Sequence, residues 1–204
     1  MNRLVMPLPY RLSFSIAAAL SLTACQQSAS APSEPPPLEG ATIGGAFTLT
    51  GEDKQPVSWN QFDGKYRIVY FGYTFCPDIC PTDVQRAMAG LKGFEADNPT
   101  LGADIQPLFI SIDPERDTPA VLREFTDNFH PRLIGMTGDQ ETLEQVAKDF
   151  GTTFSRGETS AGGGYLMNHY GYTYLFGRQG EPITMLPTDQ GAEAVTAELE
   201  KWVR

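Results

Sequence analysis

Cysteine and histidine are scarce in this 204-residue chain, three and two residues respectively, and basic residues are outnumbered 25 to 15 by acidic ones. The deficit of positive charge, a net −10, argues against nucleic acid as a partner, because phosphate binding needs a basic face. A composition of 41% hydrophobic and 20% charged residues excludes a coiled coil, a disordered acidic chain and a polytopic membrane protein. What remains is a chain long enough for one domain with a well-buried core, at ~100–200 residues per domain. An odd number of cysteines implies that one thiol has a task the other two do not share.

The first cysteine explains itself by its surroundings. Arg3 and Arg11 precede an apolar run from Leu12 to Leu22, eleven residues, short of the ~20 needed to span a bilayer. The run suits a secretory signal peptide over residues 1–24. It closes on Leu22, Thr23, Ala24 and Cys25, which resembles the cleavage box of bacterial lipoproteins and makes Cys25 the expected lipidation site. A plain signal cut near Ala24, leaving Cys25 as a free thiol, is the alternative. Residues 25–45, with Pro35, Pro36 and Pro37 among Ser, Ala and Gln, read as a semi-extended tether. Residues 46–204 are then an exported domain anchored to the membrane by lipid, facing the periplasm of a bacterial envelope. Without the signal, 13 basic residues stand against 25 acidic ones, a net charge of −12.

Strand and helix signals alternate from Phe47 onward. A hairpin is expected over Phe47–Thr50 and Val57–Trp59, with an acidic turn between. Tyr66–Tyr73 and Ile105–Ile112 are continuous apolar runs suited to strands buried on both faces. Between them, Val84, Met88, Leu91 and Phe94 recur at helical spacing after Pro81. Thr118 and Pro119 open a second helix with Leu122, Phe125 and Phe129 on one face. A short strand over Leu133–Thr137 leads to a helix capped by Asp139 and carrying Leu143, Val146 and Phe150. Two late strands, Tyr172–Phe176 and Ile183–Leu186, flank a turn at Gly177–Gly180, and Ala192–Val203 is a terminal helix. This order predicts an α/β, thioredoxin-like fold with an N-terminal hairpin and a helix–strand insertion. Ser160–Gly164 reads as a mobile loop.

The chemistry concentrates where the first buried strand ends. Cys76 and Cys80 stand four residues apart, with Pro77, Asp78 and Pro81 around them and a helix following. That spacing can bring both sulfurs to one side as the loop enters a helical turn. A helix N-terminus favours thiolate, the form that binds a soft metal or attacks a disulfide. An inert structural disulfide is the bland reading, and the strand-end location argues against it, since open α/β sheets collect their ligand sites there. His169 lies before a late strand that this fold would place beside the cysteine loop. Two thiolates and an imidazole suit one Cu(I) ion, and the nitrogen makes Cu(II) tolerable. Zinc with a fourth ligand competes. His130 ends a helix, where an imidazolium complements the dipole, and is read as structural.

The stretch from Phe62 to Pro81, containing CxxxCP, and the stretch Ile110–Pro119, reading ISIDPERDTP, resemble the signature of the Sco/SenC family. The late His169 before Tyr174, Leu175 and Phe176 fits the same pattern, and the resemblance runs from about Phe47 to the C-terminus. It implies a thioredoxin-like copper protein, with Cys76, Cys80 and His169 as ligands, that helps assemble the dinuclear copper (CuA) site of cytochrome c oxidase. One departure stands out: many family members carry Asp-His-Ser or Asp-His-Thr where this chain has Asn168, His169 and Tyr170. An outer-shell carboxylate orients a ligating imidazole, so its absence at Asn168 bears on copper affinity. Asp113 and Asp117 are candidates to replace it, with turn formation and helix capping as their ordinary roles. Asp78 is either a recognition charge or a solvated one.

Three functions compete. The first is a metallochaperone, not an enzyme, that hands copper to the copper-site subunit of the oxidase. The second is a thiol–disulfide oxidoreductase using Cys76 and Cys80 on target cysteines before metal loading. The third is a peroxide-handling thiol protein. Thioredoxin-type reductases carry CxxC and a facing cis-proline, whereas no proline lies between Arg132 and Glu181 here. A peroxidatic cysteine should follow Thr or Ser by three residues, and Tyr73 and Pro77 occupy those places. Delivery therefore ranks first. Because a disulfide removes both thiolates, an oxidising compartment calls for a thioredoxin-like reductant as partner. Another copper carrier is a further expected partner.

Overall fold

The computed structural model describes Met1 and residues 34–204. The expected signal peptide, Cys25 and the first part of the expected tether lie outside the described residues. Among the described residues, nine strands and five α-helices follow in the order β1 (Thr48–Gly51), β2 (Pro56–Ser58), β3 (Tyr66–Gly72), α1 (Ile79–Asp97), α2 (Pro99–Ala103), β4 (Ile105–Ser111), α3 (Pro119–Thr126), β5 (Ile134–Thr137), α4 (Gln140–Asp149), β6 (Phe154–Arg156), β7 (Met167–His169), β8 (Thr173–Phe176), β9 (Pro182–Met185) and α5 (Ala192–Trp202). Seven strands form one sheet in the order β2-β1-β5-β4-β3-β8-β9, and β6 and β7 form a separate ribbon.

The centre of the sheet is the parallel trio β3, β4 and β5, with β8 antiparallel to β3 and β9 antiparallel to β8. This is the thioredoxin-like arrangement expected from the order of elements. The inserted α3–β5 pair widens it, and the β1–β2 hairpin extends it through antiparallel pairing with β5. β3 and β4 are buried at every position, as strands covered on both faces must be. Even Arg67 is fully buried within β3, its guanidinium donating to the Gly177 carbonyl at 3.1 Å and to Asp63 at 2.8 Å.

Successive side chains of β3 serve opposite faces. Tyr70 stacks on Phe109, which meets Phe125 of α3, with ring centroids 6.1 and 4.9 Å apart. Phe71 points the other way, onto Phe150 at the end of α4, which also packs against Trp59 and Phe176 edge-on. Such aromatic pairs add ~0.5–1.5 kcal/mol each beyond the area they bury. α3 and α4 start as their sequences predict. Thr118 accepts the Val121 N–H, with Pro119 at the first helical position, and Asp139 accepts the Thr142 N–H at 2.9 Å.

Several boundaries differ from the sequence expectation. α1 begins at Ile79, ahead of Pro81, because a proline within the first turn lacks only an N–H that the helix does not use. α3 stops at Thr126, so Phe129 lies beyond the helix that was expected to carry it. The short α2 and the β6–β7 ribbon carry no strong hydrophobic period and were not foreseen. Leu38, expected in the tether, donates its N–H to Ile183 of β9 at 2.9 Å, and Gly44 donates to Asp149. Leu38 and Ile43 pack against the core.

Candidate metal centre

Register brings three segments to one edge of the sheet. Gly72, the end of β3, lies opposite Ser111, the end of the parallel β4, so the loops that follow both strands leave side by side. Tyr70 lies opposite Thr173 of the antiparallel β8, so the residues entering β8 arrive at the same edge. The first loop carries Cys76 and leads into α1 at Cys80. The second is the Asp113–Asp117 turn. The third delivers His169 from β7. Strand carboxyl ends are the usual ligand-binding rim of such sheets.

At that rim the sulfurs of Cys76 and Cys80 and an imidazole nitrogen of His169 all lie within 4.8 Å of one another. Both cysteines are free thiols. The Cys80 Sγ is 3.2 Å from His169 Nε2, and the His169 Nδ1 is 3.1 Å from the Tyr170 carbonyl. The main-chain carbonyl can only accept, so Nδ1 carries the proton and donates to it, leaving the Nε2 lone pair facing the sulfurs, which is the tautomer a metal ligand needs. Burial pushes the Cys80 thiol well above its ordinary value and pulls His169 below its own. The metal-free pair is thus a neutral thiol donating to a neutral imidazole.

This corrects the expectation that the helix start holds Cys80 as thiolate: desolvation of a fully buried sulfur outweighs the helix field. The Cys76 Sγ accepts the Cys80 N–H at 3.5 Å.

A bound ion fits this arrangement. Thiolate and imidazole bonds of ~2.3 and ~2.0 Å require sulfur and nitrogen to lie no more than ~4.3 Å apart; the Cys80–His169 pair, at 3.2 Å, satisfies that limit, and the full set, within 4.8 Å, needs only a small inward shift to share one ion. The donors are soft, and among the described residues the group contains three side chains. A closed tetrahedral zinc site requires four, whereas two thiolates and one nitrogen suit copper.

The other candidates fall in different places. Asp117 is fully buried and accepts the Thr74 N–H, the Thr74 hydroxyl at 2.6 Å and the Ser111 hydroxyl at 2.7 Å. Burial raises its pKa against the pull of these donors. It neither caps α3 nor reaches His169; it holds the residue two positions before Cys76. Asp113 accepts the Arg116 Nε–H at 2.5 Å and the Tyr165 hydroxyl at 2.7 Å. Asp78 is exposed, occupies the N-cap position of α1 and makes no side-chain cap. Asn168 is exposed on the ribbon, 3.4 Å from the Ser155 hydroxyl, so its amide orients nothing at the sulfurs. His130 lies four residues past the end of α3, where it accepts the Arg132 N–H through Nδ1 and meets Glu95 through Nε2 at 3.3 Å. Burial pulls its pKa down, so it is a neutral buried residue and not a dipole-facing imidazolium.

Other residues frame the site without a motif to announce them. Asp83 stands one turn after Cys80 on α1, accepts the Tyr70 hydroxyl at 3.3 Å, and its charge favours protonated His169. The i, i+3 spacing from Cys80 was the available signal. Gly171 passes so close that a Cβ there would sit 2.8 Å from the Asp83 Oδ2. Tyr70 and Tyr73 meet the His169 ring edge-on at 6.4 and 5.8 Å. Phe75, Ile79 and Tyr170 expose apolar surface beside the donors.

A family model described as SCO1/SenC matches residues 35–204. The Homo sapiens Protein SCO1 homolog, mitochondrial, is 36% identical over 68% of this chain and 46% of its own length. A Rickettsia felis SCO2-like protein is 33% identical over 77% of this chain and 75% of its own. The chain spans about half the length of the first curated relatives it matches. Among solved structures, Arabidopsis thaliana ScoI with copper bound is similar at a TM-score of 0.72 and 33% identity, covering 78% of this chain and 96% of that one.

Proposed function

Since this chain belongs to the SCO1/SenC family, we propose that it is a copper-binding chaperone for cytochrome c oxidase assembly. In this reading Cys76, Cys80 and His169 hold one copper ion and pass it to the CuA site of the oxidase's copper-site subunit. The observation that carries this reading is the convergence of two free sulfurs and one correctly tautomerised imidazole within 4.8 Å at the sheet rim. The copper-bound relative at 33% identity supports it.

Copper would supply a soft acceptor for the two sulfurs, in the Cu(I) state and, through the nitrogen, the Cu(II) state. The chain's own residues do the rest. The Tyr170 carbonyl holds the Nδ1 proton, which keeps Nε2 available. Cys80 surrenders its proton as it becomes a ligand. Cys76, half-exposed at the rim, is the sulfur an incoming partner thiol reaches first. Phe75, Ile79 and Tyr170 present an apolar border against which such a partner can exclude water.

Residues 1–24 as a signal, Cys25 as the lipid attachment and the following residues as a tether would place this site near a membrane-bound acceptor in a bacterial envelope, raising the effective encounter concentration. Among the described residues no helix is long and apolar enough to cross a membrane. A thioredoxin-like reductant would keep the thiols reduced, and another copper carrier would supply the ion.

The second reading, a thiol–disulfide oxidoreductase, is favoured by the free state and proximity of the two thiols. Against it, the Cys80 sulfur is buried with its thiol pushed up, which holds it in the protonated form that does not attack a disulfide. Anaerobic copper titration of the reduced protein distinguishes the two. One equivalent bound, and lost in Cys76→Ser and in Cys80→Ser, supports the chaperone. Absence of metal binding, together with a mixed disulfide trapped on a target thiol, supports the oxidoreductase.

A further inference from the structure

The turn between β4 and α3 touches both ligand-bearing segments yet contributes no ligand. We propose that this turn, residues 113–117, is a two-armed spacer that sets His169 against the cysteine pair, with Tyr165 and Arg116 as positioning residues for the imidazole. The proposal rests on the three-donor reading of the site and adds to it the element that fixes the donors' separation.

The turn is rigid on its own account. Asp113 accepts the Arg116 and Asp117 N–H groups on its carbonyl, at 3.2 and 2.9 Å, and the Ser111 hydroxyl accepts the Asp113 N–H at 3.0 Å. The same Ser111 hydroxyl donates to Asp117 at 2.7 Å, which ties the two acids to the end of β4. From this base one arm reaches each way.

The cysteine arm is Asp117. Its two oxygens take the main-chain N–H and the hydroxyl of Thr74, which fixes the loop two residues before Cys76. The histidine arm is Asp113 with Arg116. Arg116 bonds Asp113 through Nε and the Tyr165 carbonyl through Nη1 at 3.0 Å, while the Tyr165 hydroxyl returns to Asp113 at 2.7 Å. The Tyr165 ring lies between the guanidinium groups of Arg116 and Arg156, each 3.7 Å from its centroid. Arg156 pairs with Glu115 at 2.9 Å and stands opposite Met167 in the ribbon, so the latch grips both ribbon strands.

Tyr165 is four residues before His169, and Gly171, two residues after it, is wedged against Asp83. The imidazole thus sits on a strap anchored at both ends. Asp113 and Asp117 are 2% and 0% exposed, and carboxylates buried this deeply keep their partners because losing one strands a charge. The separation between Thr74 and Tyr165 is therefore held by groups that cannot relax into solvent.

The arms make separable predictions, readable without metal. In hydrogen exchange of the reduced, metal-free protein, Tyr165→Leu speeds exchange of the Met167–His169 amides about tenfold and leaves Thr74–Cys76 within about twofold of wild type. Asp117→Asn does the reverse. Copper-edge X-ray absorption on the Cu(I) forms then reads the imidazole directly: Tyr165→Leu keeps both sulfurs and loses the nitrogen contribution, and Tyr165→Phe, which retains the ring between the two guanidiniums, keeps much of it. Loosening of both segments together in each variant, or wild-type exchange and an intact nitrogen contribution in Tyr165→Leu, overturns the spacer. If the wild-type protein takes up no copper, the chaperone reading fails while the exchange comparison still decides the spacer.

Discussion

Alanine at Gly72 places a methyl group at the junction of the core and the metal site. A Cβ there would lie 2.7 Å from a Tyr70 ring carbon, 3.1 Å from the Cys80 sulfur and 3.2 Å from a Phe109 ring carbon. All three side chains are 3% exposed or less, and the two rings are stacked on each other, so neither ring can swing clear. The backbone at Gly72 lies outside the left-handed region, so alanine also gains ~0.4–1 kcal/mol by reducing the freedom of the unfolded chain. Overpacking a filled core costs ~1–3 kcal/mol. At mid-range, about 2 against about 0.7 kcal/mol, the cost exceeds the gain and leaves a net loss of about 1.3 kcal/mol. The Cys80 sulfur, turning about a single bond, is the neighbour that yields most readily, so copper affinity should fall along with stability. Urea unfolding of the reduced, metal-free protein reads the first effect as a lower midpoint with an unchanged slope. A Gly72→Ala variant as stable as wild type would refute the tight packing of Tyr70, Cys80 and Phe109 around Gly72.

Two predictions concern protons. Burial raises the Cys80 thiol, so it is protonated at neutral pH and must lose its proton to bind copper; apparent Cu(I) affinity then climbs about tenfold per pH unit for that proton. Competition with a calibrated chelator between pH 6.5 and 8 should show this slope, and a flat profile contradicts it. His130 is held below its ordinary pKa by burial, so the folded state binds fewer protons than the unfolded chain. Its contribution to stability is present above about pH 6.5 and is lost as pH falls through the folded-state pKa. Urea unfolding at pH 7.5, 6.5 and 5.5 should therefore show a shallower acid loss in His130→Gln than in wild type.

The buried strands were legible because Tyr66–Tyr73 and Ile105–Ile112 are short continuous runs rich in β-branched and aromatic residues, which suit strands covered on both faces. The starts of α3 and α4 were legible from the capping residues Thr118 and Asp139. The β6–β7 ribbon was not, because three-residue strands of mixed polarity leave no period to read. At the site, Cys76 and Cys80 announced themselves by spacing, and His169 by its place before β8. Asp113 and Asp117 were singled out for their charge, but their partners Thr74 and Tyr165 are 43 and 52 residues away in sequence, separations that no local pattern encodes. Asn168 illustrates the converse: a departure conspicuous in sequence faces Ser155 and leaves the imidazole's orientation to the Tyr170 carbonyl.

The proposed function stands on two thiolates and the His169 imidazole together holding one copper ion. Copper-edge X-ray absorption of the reduced protein loaded anaerobically with one equivalent of Cu(I) tests it most directly. Two sulfur scatterers and one imidazole are expected, with the imidazole alone missing in His169→Ala. A spectrum with sulfur ligands only, unchanged between wild type and His169→Ala, would contradict it.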